Sequence, residues 1–229
     1  EALAGGDKAA LAAKLKELAI NTAALVTKID DLAYQLELVT SLAEQLAESK
    51  VEEVPGVALA TIKAIRTLLE MAKEVIPPEW RIVRSVKALE KELDYLESTA
   101  KRIQSGDARR EIEKALSERA NIVVNEVIIQ VRGELGVELR RSLEELKSKL
   151  VSTFTDVRIL QMTEELRLTV ILAAFHAYSL VLALIDSLSQ VVKMSGKLAQ
   201  AINKIMSKSE ELTSLLKPGE HHSDLTLTM

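Results

Sequence analysis

Eighteen consecutive residues, Leu168 to Ile185 (LTVILAAFHAYSLVLALI), carry no formal charge. Wound as a helix, the run spreads Val170, Ile171, Leu172, Leu180, Val181, Leu182, Leu184 and Ile185 around its whole circumference. A helix that is apolar on every side must be central, interfacial or in lipid. Three coverings satisfy it: shorter helices of the same chain, a second copy, or a bilayer. The run sits at the lower edge of the roughly 20 residues that span a membrane, and Thr169, His176, Tyr178 and Ser179 weaken that signal. Arg158 and Arg167 precede it, and Lys193, Lys197, Lys204 and Lys208 follow on one helix face. A solvated stripe explains those lysines better than a headgroup contact.

The remaining chain bounds the choice. It has 229 residues, 28% of them charged and 3% aromatic, with 4 Pro and 8 Gly. That is the composition of an all-helical protein with long helices. Its 30 basic and 34 acidic residues are interspersed, so there is no basic face for nucleic acid, and few aromatics on which bases could stack. The count of 0 Cys removes disulfides, thiolate metal sites and cysteine nucleophiles. It fits a cytoplasmic or a secreted chain equally. Glu1 in first place points to a processed chain.

The spacing of apolar residues predicts the helices. After Gly5-Gly6, Asp7 is an N-cap candidate. A seam of Leu11, Leu15, Leu18, Thr22, Leu25, Ile29, Leu32, Leu36, Val39, Ala43 and Leu46 follows in alternating steps of four and three. This first helix would extend to Lys50, about 44 residues or roughly 65 Å. Val54-Pro55-Gly56 reads as a turn. Beyond it Ile62, Ile65, Leu69, Ala72 and Ile76 continue to Pro77-Pro78, which breaks the phase. Ile82, Val86, Leu89, Leu93, Leu96, Ala100 and Ile103 resume it from Glu79, leaving either a kinked rod or two helices. Gly106-Asp107 stops that segment and starts another. Positions Ile112, Leu116, Ala120, Val123, Val127, Val131, Leu135, Leu139, Leu143, Leu146 and Leu150 then predict one helix to residue 150. A β-hairpin over residues 126–139 is the competing reading, because β-branched residues flank Gly133 and Gly136. A last helix begins near Asp156, passes through the apolar run and Gly196, and ends before Pro218-Gly219.

The expected fold is therefore all-α: an elongated antiparallel bundle of four to six long helices with coiled-coil-like packing. Residues 1–6 form a flexible N-terminus, 7–217 a single bundle domain and 218–229 a mobile C-terminal tail.

Chemistry is sparse. His176, inside the apolar run, is a candidate pH-sensitive core residue, although a neutral, hydrogen-bonded histidine is the simpler reading. No Glu-x-x-His pair of the dimetal bundles occurs, and His221-His222 lack a third ordered ligand. Phosphate-cradling glycine loops are absent. Arg81, Arg84, Lys87 and Lys91 form a basic strip beside Trp80, with Glu90, Glu92 and Asp94 near enough to compensate it. Residues 77–103 resemble the loop and third helix of PhoU-type phosphate-regulatory bundles. The spaced acids with which that family holds metal are not evident, and no residue role transfers.

These observations predict a non-enzymatic structural or interaction module with no cofactor or metal, binding itself or another helical protein. Leu172, Leu180, Leu184, Trp80, Arg81 and Arg84 are its contact candidates. A membrane-active bundle that sequesters residues 168–185 in a soluble form is the alternative, and a metal- or ligand-sensing regulatory bundle the third reading.

Overall fold

A computed structural model describes residues 13, 22–78, 80–130, 133–191 and 196–216. Asp7 and the first three seam leucines, Glu79, Val131, Lys193, Pro218-Gly219, the tail histidines and both terminal segments lie outside the described residues. Among the described residues six α-helices pack against one another and no strand occurs. They are α1 (Thr22–Glu48), α2 (Val54–Lys73), α3 (Ile82–Ser105), α4 (Asp107–Ile129), α5 (Glu134–Val191) and α6 (Gly196–Leu216), with a 3-10 turn at Val51–Glu53 before α2.

The apolar seams of the first three helices follow the sequence pattern, but Val54-Pro55-Gly56, read as a turn, is the first turn of α2, where a proline is tolerated because its missing N–H would be unpaired anyway. Leu25, Ile29, Leu32, Leu36, Val39, Ala43 and Leu46 of α1 are buried. So are Ile62, Ile65, Leu69 and Ala72 of α2, and Ile82, Val86, Leu89, Leu93, Leu96 and Ala100 of α3. Pro77-Pro78 separates two helices rather than kinking one. α3 returns alongside α2, so that Arg66 meets both Asp94 and Glu97 while Lys73 meets Glu90.

The second half departs from the expected boundaries. The break falls between Ile129 and Glu134, not at 152–156, and α5 is a single helix of 58 residues, about 87 Å long. Gly133 has φ +87, a left-handed conformation that a side chain would oppose. Ser152, Thr153, Thr155 and Asp156 are cap-forming types, but no backbone reversal accompanies them and the helix runs through. The strand alternative for residues 126–139 is likewise replaced by a helix–turn–helix. At its far end the long helix stops at Val191, and the chain returns as a separate α6 rather than continuing to Leu216.

Most of the apolar run is covered by its own chain, while Leu168, Leu172 and His176 stay exposed along one side. α5 packs against α1, α2, α3 and α6, and Val170, Ala173, Ala174, Ala177, Tyr178, Val181, Leu184, Ile185 and Leu188 lie in one continuous core. Tyr178 is buried, and its hydroxyl donates to the Ile205 carbonyl at 3.2 Å, tying α5 to α6. Burial pushes that phenol above its ordinary range. Arg167 fixes the other end. Its Nη1 donates to the carbonyls of Leu46, Ala47 and Ser49 at 2.8, 3.2 and 2.7 Å. A guanidinium thus satisfies the free carbonyls and the negative end of α1, while Glu164 holds its Nε at 3.0 Å. Arg167, which the sequence grouped with the flanking cations, is a helix clamp.

Among the described residues α4 touches only α5 and α3. With the first part of α5 it forms a two-helix arm beyond the five-helix body. Gly106, at φ +83, ends α3, and Ser105 Oγ donates to Asp107 at 2.9 Å to start α4. Arg109 meets Asp156 at 2.8 Å, and Lys147 donates to Asn121 Oδ1 at 2.7 Å farther out.

Leu184→Ala should destabilise the chain by about 2–5 kcal/mol through the cavity it leaves, and Arg167→Ala by about 2–3 kcal/mol through orphaned carbonyls. Urea titration followed by circular dichroism measures both. Acid should act through the α2–α3 edge. Lys101 holds the Glu97 carboxyl below its ordinary range by hydrogen bonding and charge, against the opposing effect of burial, and Arg66 adds to it. A depressed carboxyl contributes stability above its unfolded value and loses it as pH falls through the folded one. Urea midpoints should therefore drop below the ordinary glutamate range, and drop less in Glu97→Gln.

Candidate functional site

The structure separates the contact candidates into two groups. Leu184 is 1% exposed, Leu180 6% and Trp80 7%. All three belong to the core, because Leu180 and Leu184 lie on the packed side of α5 and Trp80 is buried at the α2–α3 joint, so none offers a face to a partner. The Trp80 indole N–H is buried with no acceptor among the described residues. Leu172, Arg81 and Arg84 are exposed. His176 is exposed as well, on the uncovered side of α5, which corrects its assignment to the core.

The basic strip is not neutralised by direct contact. Glu90 and Asp94 turn toward Lys73 and Arg66 of α2. Among the described residues Arg81, Arg84, Lys87 and Lys91 form no ion pair. Burial lowers the Arg66 guanidinium, but hydrogen bonds and charge from Asp94 and then Glu97 more than offset it and leave it raised.

The larger unspent surface lies on the arm and on the outer face of α5. Only Ala108 and Val124 of α4 are buried; the seam placed through Val123 and Val127 faces solvent, and Val124 takes the inward position. At the tip Ile122, Val123, Val127, Ile129, Leu135 and Val137 are exposed on several sides. Along α5, Leu150, Phe154, Val157, Leu168 and Leu172 leave between 46% and 57% of their surface open. With exposed Gln161 they follow steps of four, three, four, seven and four. At about 100° per residue these positions share one side of the helix. The side facing the body carries Thr163, Leu166, Val170, Ala174 and Ala177, all buried. The stripe is therefore a second apolar face on a helix whose first is already used. Such a surface exceeds the scattered apolar residues normal on a monomer.

At the base of the arm Pro55, Gln104, Arg109, Asp156, Ile159 and Thr163 line a cleft of about 440 Å³. Its opposite charges, Arg109 and Asp156, bind each other. No group of three or more His, Cys, Asp or Glu is arranged to hold a metal among the described residues.

Fold and surface together define an all-helical protein with a continuous core and an uncovered apolar stripe. No protein-family model, curated protein or solved structure matches the chain.

Because His176 faces solvent away from the core, His176→Gln should change stability by no more than about 0.5 kcal/mol. Its urea midpoint at pH 7 should match that of the parent chain.

Proposed function

We propose that this protein is a non-enzymatic structural and interaction module, an antiparallel helical bundle with coiled-coil-like packing that binds through the outer face of α5. The observation that carries the reading is the stripe from Leu150 to Leu172, half exposed at every apolar position. Steps of three and four, with one of seven across Glu164-Glu165, keep these positions on one side of the helix, as seating against another helix requires. The partner is a second copy, because the same stripe can serve both sides of a twofold contact. The sequence had assigned this role to the face carrying Leu180 and Leu184; Leu172 is the member of that set that remains available.

Light scattering should return about twice the 25.2 kDa of the chain. Phe154→Asp should shift the mass to that of the monomer with helix content unchanged, since Phe154 is exposed and its replacement empties no core. A monomeric parent chain at every concentration would remove the proposal.

A second reading is favoured by the arm tip. Apolar side chains there point to several sides rather than along one stripe, which suits a fluid surrounding better than a single helix. On that reading the membrane-active element is the tip instead of residues 168–185, most of which α1, α2, α3 and α6 cover. Flotation with anionic and neutral vesicles at pH 7 and pH 5 measures it. Binding that Ile129→Glu abolishes would support lipid contact.

A further inference from the structure

We infer that two copies pair antiparallel along α5, with the twofold axis passing at Gln161. The inference rests on the self-association proposed above and adds its geometry. Its first support is the order of the stripe. Around Gln161, Leu150 and Leu172 stand eleven residues away on either side, and Phe154 and Leu168 seven. A twofold contact between antiparallel helices places each residue before the axis opposite the one equally far beyond it. Leu150 then meets Leu172 of the second copy, Phe154 meets Leu168, and each pair forms twice. Gln161 meets itself, and two side-chain amides can exchange hydrogen bonds across the axis. A polar residue at the centre favours this register, because sliding by seven residues would set it against Leu168 or Phe154 of the second copy.

Charge supplies the second support. Arg158 lies three residues before Gln161 and Glu165 four after it. Both are exposed, and neither has an ion-pair partner among the described residues. At about 100° per residue both stand on the same flank of the stripe. In the antiparallel pair that flank faces its own symmetry mate, so Arg158 of each copy comes beside Glu165 of the other. In a parallel twofold pair the same flank of the two copies lies on opposite sides of the seam, so Arg158 and Glu165 would not meet each other. Opposition of unlike charges selects the antiparallel sense.

The third support is extent. Stable interfaces cover about 800 Å² on each partner. From Leu150 to Leu172 the stripe runs roughly 33 Å along the helix, and on both sides of the junction between arm and body. In the pair each arm lies along the outer α5 face of the other copy's body. His176 and Lys147 then border the contact, with Glu144 already bound to Lys147 on the same helix.

The chain contains 0 Cys, so a single introduced cysteine reports one position without background. Gln161→Cys should form a disulfide-linked dimer under mild oxidation, because a residue on the axis approaches its own copy within disulfide range. Tyr95→Cys, equally exposed but on α3, should not. Arg158→Glu and Glu165→Arg should each weaken dimerisation about tenfold at low salt, and the double variant should recover it. These substitutions are on the surface, and circular dichroism confirms that each variant is folded. A dimer by light scattering that Gln161→Cys fails to trap, and that the charge reversals leave unchanged, overturns the axis while self-association stands. A monomer throughout overturns both. Vesicle flotation of a monomer, lost in Phe154→Asp, assigns the stripe to lipid and likewise overturns the pairing.

Discussion

An uncharged helical stretch that is wet along one side only sets the terms for every other helix. Because residues 168–185 present apolar side chains in all directions, covering them takes neighbours on several sides, and α1, α2, α3 and α6 supply these. The chain must reverse after Val191 for α6 to take its place in that cover. Enclosure has a geometric cost: the ends of the surrounding helices fall close to the central one, where carbonyls need donors. Arg167 meets that need at the end of α1 with three carbonyl contacts. Burial of the helix and capping of its neighbour are therefore parts of one solution.

Much of the body was legible in the sequence because α1, α2 and α3 each keep one apolar face in simple alternation, and those positions are the buried ones. The arm was not, for a physical reason. Ser152, Thr153, Thr155 and Asp156 are good cap residues, but a cap stabilises a helix end only where the backbone turns. The turn goes instead to Gly133, which tolerates its φ of +87 without penalty. Placing a break at 152–156 cut the Leu150–Leu172 stripe in two, so its alternation could not be seen as one pattern. Joined, those positions carry the strongest surface signal on the chain. Leu180 and Leu184 stand out by hydrophobicity, which marks a core residue as readily as a contact.

Charge follows the same division between body and surface. Glu90 and Asp94, two of the three acids near the Arg81–Lys91 strip, are drawn across to α2, where Lys73 and Arg66 hold them. Proximity along the sequence was a poor guide, since side chains on adjacent positions of a helix diverge while those on neighbouring helices converge. His176 illustrates the point within α5. Its neighbours Ala177 and Tyr178 are buried, yet one residue of rotation carries the imidazole into solvent.

Between Val137 and Val191 the long helix contains neither glycine nor proline. Such a rod has no built-in hinge, and it belongs to the arm at one end and the hydrophobic centre at the other. A load applied at the tip would consequently reach the interior as rotation about the rod axis more readily than as a bend. Tyr178 and Arg167, which bond the rod to α6 and α1, stand where that torque would first be felt. In mechanical terms the molecule is a handle set in a socket, and its lever is the very helix that fills the socket.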